Sequence, residues 1–418
     1  MSDLTIPEGG VLLHIGPYKT GSTAIQSAMF AAKEQMHAHG VAYPGRWRRA
    51  MRPGWAVLNY TPRGREPVAI ELWEEFAREV RERTEPRACV STEDFGSAGP
   101  KYALRIAEDL GGEAVHVVAV ARRLDRLLPS QWQERVKSHD TYTYEQWLEM
   151  VLADRSSEGG EPPNREWRRF WASHDVTRMF ERWEPAVGRD RFHLIVTDDS
   201  DRTLIPRSFE SLLGLPEGLL ELPPSANASL TWNATELLRR LNEVFAEEEW
   251  PDRVYHRLIQ RGAILRMTES PRSAYERPIP KLPVWAAERA AEISARRVAE
   301  IRERGIHVIG DLDALSMSRE VVVAGSSDEL APTTVAIPTM VAAMVGIVEE
   351  SVLQTADIGT KKGRRKRRRQ RRLSETGPSF RVGDPRRVPI SQAPTRDLLA
   401  VALRRGAGRV RALGTRSR

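Results

Sequence analysis

The sequence predicts an α/β fold with a mainly parallel central sheet flanked by helices. Short apolar runs alternate with longer segments whose apolar residues recur every three or four positions, the spacing of one helix face. A continuous apolar run between such segments is typical of a strand that is buried on both faces. Strands separated by helices favour parallel pairing, because parallel neighbours need a crossover connection.

Five segments have the composition of strands and five have helical spacing. The predicted strands are 11–15, 88–91, 115–121, 191–197 and 306–309, and 115–121 (VHVVAVA) is the clearest. The predicted helices are 24–36, 72–80, 131–137, 233–245 and 285–304. Gly40 is the expected stop of the first helix, because glycine is favoured just beyond a helix C-terminus.

The charge is divided unevenly along the 418 residues. The net charge is +7, but 361–418 alone carry 20 Lys and Arg against three acidic residues, a net of +17. The preceding residues are therefore acidic, with a net charge of −10. Such asymmetry indicates an interaction tail rather than a property of the fold. We predict an α/β domain over 1–315, a C-terminal helical extension over 316–360 and a basic, disordered tail over 361–418.

Composition excludes several classes of protein. Hydrophobic residues make up 40% of the chain, which excludes wholesale disorder. A single cysteine excludes a disulfide scaffold and suits a reducing compartment. The first residues show no secretory signal, so we expect a cytoplasmic location. The uncharged stretch 331–348 contains two prolines and is shorter than the ~20 apolar residues of a membrane-spanning helix. We expect a packed helix starting near Pro338 instead.

The strongest motif is HIGPYKTGST, residues 14–23. It places Gly16 and Gly21 between a predicted strand and a predicted helix. Backbone N–H groups and the helix dipole at such a helix start attract phosphate-like anions. The glycine spacing matches the nucleotide P-loop, G-x-x-x-x-G-K-[ST]. However, Ser22 stands where the P-loop has lysine, and the lysine lies earlier in the loop, at Lys19.

The displaced lysine argues against a nucleoside triphosphatase. In those enzymes the lysine contacts the β- and γ-phosphates, and the next hydroxyl residue holds Mg²⁺. Lys19 is expected to contact an anion from another side. Asp198 and Asp199, after the strand 191–197, are the best sequence support for a Mg²⁺-dependent alternative. An ordinary strand–helix turn with a chance lysine is the other alternative.

The segment LHIGPYKTGSTAIQ resembles the 5′-phosphosulfate loop of sulfotransferases that use 3′-phosphoadenosine 5′-phosphosulfate (PAPS), whose pattern is roughly IGxxKTGTTxLQ. The resemblance is to the bacterial type and covers about residues 11–315. It implies PAPS as co-substrate and no metal, with Lys19 stabilising charge on the bridging oxygen as the sulfuryl group leaves. It also implies that the phosphosulfate is held by Lys19, Thr20, Gly21, Ser22 and Thr23.

A second motif follows the predicted strand 115–121. Sulfotransferases place an arginine after a central strand and a serine eight residues later, and these residues hold the 3′-phosphate of the donor. Arg122 and Ser130 have this spacing. Arginine offers a planar fork to phosphate, and ligands of open α/β sheets bind beyond the carboxyl ends of the strands. Arg123 is the obvious rival for this role, and Arg126 is a weaker one.

Sulfuryl transfer to a hydroxyl or amine needs a base that takes the proton of the acceptor. We favour Glu93, because it follows the predicted strand 88–91 and should lie at the same sheet edge as the phosphate loop. Asp94 is the near rival, and a solvated-loop or helix-capping role is the alternative. His14 precedes the loop and is expected to be a core histidine.

The leading hypothesis is a PAPS-dependent sulfotransferase with an unidentified acceptor, such as a glycan or a small metabolite. A P-loop kinase or nucleoside triphosphatase is the second hypothesis, and a non-catalytic protein with a polyanion-binding tail is the third. The run KKGRRKRRRQRR, residues 361–372, is suited to nucleic acid, anionic lipid or an acidic polysaccharide. Segments 43–70 and 140–170 are expected to shape the acceptor pocket.

Overall fold

The structure is a computed structural model that describes residues 4–63, 65–154, 162–198, 200–223, 229–270, 274–317 and 331–359. The predicted tail 361–418 and residues 318–330 and 360 of the predicted extension lie outside these ranges. The chain divides into two compact units. Unit 1 comprises 1–135, 142–229 and 278–331, and unit 2 comprises 136–141, 230–277 and 332–418. The sequence-based domain boundaries at 315 and 360 stay predictions.

Unit 1 is built on a parallel sheet, as predicted, with six strands among the described residues. The strands are β1 (Val11–His14), β2 (Val41–Ala42), β3 (Arg87–Ser91), β4 (Val115–Ala121), β5 (Phe192–Val196) and β6 (His307–Ile309). Their order is β2-β3-β1-β4-β5-β6. Leu13 of the central β1 pairs with Val90 of β3 and with Val117 of β4. Because the strands run in one direction, their carboxyl ends share one edge of the sheet.

Helices account for most of the remaining described chain. They are α1 (Ser22–Ala31), α2 (Lys33–Ala38), α3 (Met51–Val57), α4 (Glu71–Arg81), α5 (Pro100–Leu110), α6 (Leu124–Lys137), α7 (Tyr144–Leu152), α8 (Arg165–His174), α9 (Val176–Val187), α10 (Leu204–Leu213), α11 (Trp232–Glu247), α12 (Asp252–Val254), α13 (Ile264–Glu269), α14 (Val284–Glu303) and α15 (Ile337–Gly359). A π-helical segment, Tyr255–Ala263, connects α12 to α13. Helices α11, α12, α13 and α15 belong to unit 2.

Two hydrophobic layers hold the helices of unit 1 against the sheet. Val117, Ala119 and Ala121 of β4 face a layer that includes residues of α4, α5, α9 and α14. Val118 and Val120 face the other layer, with α1, α2 and α10. Successive side chains of a strand point to opposite faces, so β4 is buried on both. This double burial explains why the segment is a continuous apolar run.

Unit 2 is helical in its described residues. Helix α15 packs against the π-helical segment and α13. The Asn242 side chain of α11 donates to the carbonyls of Val136 and Asp140 at 2.8 and 2.7 Å. His139 stacks on Tyr255 and meets the edge of Phe245. These contacts attach the short stretch 136–141 to the helices of unit 2.

The five predicted strands are confirmed to within one residue at each end. The predicted helix 24–36 is divided at Ala32 into α1 and α2. The sequence did not predict the two-residue strand β2 or the helices α3, α5, α7 to α10, α12 and α13. The helix expected near Pro338 is confirmed as α15, which begins at Ile337. Among the described residues, no helix is long and apolar enough to cross a membrane.

Candidate active site

The loop between β1 and α1 is fixed at the carboxyl edge of the sheet. The amide of Val120 donates to the Gly16 carbonyl at 2.8 Å, and the amide of Thr92 donates to the His14 carbonyl at 3.0 Å. Gly16 has a φ of +86°, and a Cβ there would lie 2.9 Å from Cα of Glu93. Glycine is therefore required where the loop passes the segment that follows β3.

Side-chain hydroxyls brace the interior of the loop. Those of Thr20 and Ser22 donate to the Pro17 carbonyl at 2.8 and 3.1 Å. Gly21, just before α1, has a φ of +101°, and a Cβ there would lie 2.7 Å from Cδ1 of Ile205. The amides of Ala24 and Ile25 donate to the Gly21 carbonyl at 3.0 and 3.3 Å, and the N–H groups before them have no acceptor within the helix, as at any helix start. The loop is thus a braced turn that leads into an anion-attracting helix terminus.

Lys19 projects from a left-handed backbone position with a φ of +67°. Its Nζ lies 2.7 Å from Oε1 of Glu134 on α6. The side chains of Lys19 and Glu134 are 29% and 36% exposed. Glu134 was not singled out from the sequence. The available signal was its position four residues after Ser130, which places both on one face of a helix.

The arginines that follow β4 have different partners. Nη1 of Arg122 donates to the Lys19 carbonyl at 3.4 Å. Arg123 makes a bidentate pair with Asp125, at 2.7 and 2.9 Å. Arg126 lies 3.7 Å from the same carboxylate. Arg122 thus contacts the loop, and Arg123 and Arg126 each pair with Asp125.

Ser130 and Thr23 lie close to these residues in the fold. Ser130 is half-buried on α6, one turn before Glu134, the partner of Lys19. Thr23 is exposed in the first turn of α1. The predicted loop residues, Arg122 and Ser130 are therefore grouped at one edge of the sheet, and their roles in ligand binding stay predictions.

Glu93 is a buried carboxylate directly after β3. It is 3% exposed and pairs with Arg49, which precedes α3. Burial alone would raise the pKa of the Glu93 carboxyl, but the charge of Arg49 and hydrogen bonds from Arg49, Gln26 and the backbone together outweigh it, and the pKa is lowered. Arg49 was not predicted as a site residue, although it falls within the segment 43–70 expected to shape the acceptor pocket.

Asp94 has a different environment from its neighbour Glu93. Its Oδ1 accepts a hydrogen bond from the Tyr18 hydroxyl, and its Oδ2 accepts one from the Thr92 hydroxyl at 3.0 Å. Burial raises the pKa of Asp94. Burial and the adjacent Asp94 carboxylate also raise the pKa of Tyr18 well above its ordinary value. Both Asp94 oxygens are thus used to tie the loop to the end of β3.

His14 lies in the core beneath the loop. Its Nδ1 is 2.8 Å from the Ser91 hydroxyl, which also accepts from the Gln26 side chain at 3.0 Å. Burial lowers the pKa of His14 to about 4, so the ring is neutral at physiological pH. This environment agrees with the interpretation of His14 as a core histidine.

The other features considered lie apart from this group of residues. The Ser200 amide donates a hydrogen bond to Oδ1 of Asp198 at 2.8 Å. Asp199 lies outside the described residues. A cavity of about 370 Å³ is lined largely by α8, α9 and α14 and by none of the predicted site residues. The described part of the chain contains no group of three His, Cys, Asp or Glu residues arranged to hold a metal ion.

Comparison with known proteins gives a structural neighbour without a family assignment. No family model and no curated protein matches the sequence. Among solved structures, a sulfotransferase from Alicyclobacillus acidocaldarius aligns with 51% of this chain and 83% of its own, at 14% identity and a TM-score of 0.33. No residue role is transferred from that protein, and the function is argued from the residues described above.

Proposed function

We propose that this chain transfers a sulfuryl group from PAPS to a hydroxyl or amine of an acceptor, such as a glycan or a small metabolite. The observation that carries the proposal is the hydrogen bond from Arg122 to the Lys19 carbonyl. These residues belong to two motifs that lie 103 positions apart in the sequence. A donor with a phosphosulfate at one end and a 3′-phosphate at the other needs both motifs within the reach of one molecule.

The residues at the loop fit the charges of this donor. Lys19 and the first-turn amides of α1 offer positive potential to a phosphosulfate. Arg122 and the Ser130 hydroxyl offer hydrogen-bond donors to a 3′-phosphate. The ion pair of Lys19 with Glu134 is partly exposed, at 29% and 36%. Exposed pairs contribute only about 0–1 kcal/mol, so an anionic ligand can displace Glu134 at small cost.

The proposed chemistry divides between Lys19 and Glu93. When bound, PAPS supplies an activated sulfuryl group with a phosphate as its leaving group. The Lys19 ammonium stabilises the negative charge that develops on the leaving oxygen. Glu93 accepts the proton of the attacking hydroxyl or amine. Arg49 keeps Glu93 ionised at neutral pH, although the lowered pKa makes it a weaker base.

Hydrogen bonding favours Glu93 over Asp94 as the base. Both oxygens of Asp94 accept hydrogen bonds, from Tyr18 and Thr92. Burial raises the pKa of Asp94, which makes it the stronger base of the two, so the choice of Glu93 rests on the hydrogen bonds that already engage both Asp94 oxygens. Asp94 is therefore proposed to hold the loop in place while Glu93 acts on the acceptor.

The test is thermal unfolding with adenosine 3′,5′-bisphosphate, ADP or ATP, each with and without Mg²⁺. Adenosine 3′,5′-bisphosphate should stabilise the protein without metal, by about 2.7 kcal/mol at a hundredfold excess over Kd. Arg122→Ala should reduce this stabilisation, and Arg126→Ala, which changes a half-exposed neighbour, should not. Lys19→Ala should remove most turnover of PAPS and leave the ligand-free unfolding temperature unchanged.

Two outcomes would reject the proposal. Stabilisation by ATP that requires Mg²⁺ would move the chain to the nucleoside triphosphatase hypothesis. No stabilisation by any of the three nucleotides would leave a non-catalytic binding protein.

A further inference from the structure

Helix α15 has one face closely packed within unit 2. Thr339 and Ala343 are 4% and 9% exposed. Gly346 lies so close to the π-helical segment that a Cβ there would be 2.3 Å from the carbonyl oxygen of Gly262. These residues follow one another at intervals of four and three, so they form one line along the helix. This line is the interior face of α15.

The opposite face of α15 is apolar and exposed. We call it the apolar stripe: Ile337, Val341, Met344, Val345 and Val348, which are 78%, 51%, 43%, 43% and 58% exposed. The stripe begins two residues before the packed line and has nearly the same spacing, which places it about 200° round the helix. A surface helix ordinarily turns polar residues to water on this side. A contiguous apolar surface of this kind marks an interaction site.

The sequence places a dense positive charge shortly after this helix. The polybasic segment, residues 361–372, contains ten Lys and Arg and no acidic residue. It begins 13 positions after the last residue of the apolar stripe. No Asp, Glu, Lys or Arg occurs between 331 and 348. Glu349, Glu350 and Asp357 lie between the stripe and the polybasic segment, and residues 349–372 together keep a net charge of +7, from ten basic and three acidic residues.

We propose that the apolar stripe of α15 and the polybasic segment together bind an anionic lipid surface. The stripe would lie in the interface between headgroups and acyl chains, with the helix axis parallel to the membrane plane. Lys and Arg near an anionic surface each contribute about 1 kcal/mol of attraction. The binding of an interfacial helix grows with its buried apolar area and with electrostatic attraction to anionic lipids, and this chain carries a source of each. The proposal is independent of the proposed enzymatic activity.

Other occupants use only one of the two elements. Nucleic acid would attract the polybasic segment but gives the apolar stripe no contact. A second copy of α15, paired in parallel, would cover the stripe but bring two polybasic segments together, and like charges repel. An anionic bilayer provides an acyl-chain region for the apolar stripe and negatively charged headgroups for the polybasic segment.

The first experiment is flotation of the full chain with vesicles of phosphatidylcholine containing about one third phosphatidylglycerol. The protein should float with these vesicles and not with pure phosphatidylcholine, and less should float as salt rises from ~50 to ~200 mM. The double variant Val341→Gln/Met344→Gln should bind about tenfold more weakly or worse. Leu104→Gln, at a 46% exposed position on α5 in unit 1, should bind like the wild type.

A fluorescent probe tests whether the apolar stripe faces the membrane, and it does so without introducing polar residues into the stripe. The single cysteine, Cys89, is fully buried, so an introduced surface thiol can be labelled selectively. An environment-sensitive dye on Met344→Cys should shift to the blue when anionic vesicles are added. The same dye on Leu104→Cys should not shift.

Three results would overturn the proposal. The first is that the Val341→Gln/Met344→Gln variant binds anionic vesicles as tightly as the wild type. The second is that the emission of the dye at position 344 does not shift although the protein is bound to the vesicles. The third is that the wild type is a dimer in solution and this variant is a monomer. The last result would assign the stripe to a second copy of the chain. Thermal unfolding of each variant checks that it is folded.

Discussion

Replacing Arg49 with methionine tests whether Glu93 is held as a buried carboxylate. Glu93 is 3% exposed and the Arg49 side chain is 25% exposed, so the pair lies largely out of water. Removing one partner of a buried pair costs about 3–5 kcal/mol, because the remaining charge is uncompensated. The partial exposure of Arg49 favours the lower end, about 3 kcal/mol. This corresponds to a fall in Tm of roughly 6–12 °C.

The assay is thermal unfolding as a function of pH. In the wild type the charge of Arg49, together with hydrogen bonds to the carboxylate, outweighs burial and lowers the pKa of Glu93. The ion pair therefore stabilises the fold above the unfolded-state pKa, and this contribution is lost as the pH falls through the folded value. In Arg49→Met burial still raises the pKa of Glu93 and the largest opposing cause is removed, so this pKa rises. The difference in unfolding free energy between the wild type and Arg49→Met should thus be largest at neutral pH and become smaller at acid pH.

Matched variants separate the charge from the loss of side-chain packing. Arg49→Met/Glu93→Gln leaves no uncompensated charge and should recover most of the lost stability. Arg48→Met, at an exposed neighbouring position, should unfold like the wild type. A deficit below ~1 kcal/mol at neutral pH, or one that grows toward acid pH, would refute the assignment of Glu93 as a buried, Arg49-dependent carboxylate.

Further predictions concern the loop and its surroundings. Because burial lowers the pKa of His14 to about 4, the wild type should lose stability as the pH falls from 6.5 toward 4, by about 3 kcal/mol, and His14→Gln should lose less in urea unfolding. Gly21→Ala should destabilise by roughly 1–3 kcal/mol. Gly218→Ala, also at positive φ but with open space around it, should cost less in the same denaturation experiment. Glu134→Gln should tighten binding of adenosine 3′,5′-bisphosphate several-fold by calorimetry, and weaker binding would contradict the competition between Glu134 and the ligand for Lys19.

The sheet could be predicted because its strands are buried on both faces. Segments such as 115–121 and 191–197 are continuous apolar runs, and burial from two sides is what produces that composition. The two-residue β2 is too short to produce any periodic pattern. The helices between 144 and 213 were missed although α7 has Tyr144, Trp147, Leu148 and Val151 at helical spacing.

The loop could be predicted because its geometry depends on local residues, whereas its partners could not. The glycines of 14–23 have to adopt positive φ, and that requirement is visible in the sequence. Glu134 and Arg49 meet Lys19 and Glu93 only through the tertiary fold. The spacing of Glu134 from Ser130 places both on one helix face, but it does not indicate that Lys19 is the partner of Glu134. The attachment of 136–141 to the helices of unit 2 depends on tertiary contacts in the same way.

The order of the strands has a consequence for where a ligand can sit. From β1 the chain crosses to the edge strand β2 and returns to β3 beside β1, and it then crosses to the other side of β1 and builds outward through β4, β5 and β6. The connections on the two sides diverge, and this divergence opens a crevice at the topological switch point between β1 and β4. Lys19 follows β1 and Arg122 follows β4, so the crevice has one cation from each wall. Its position is set by connectivity, and loops elsewhere on this edge are free to vary in sequence without moving it.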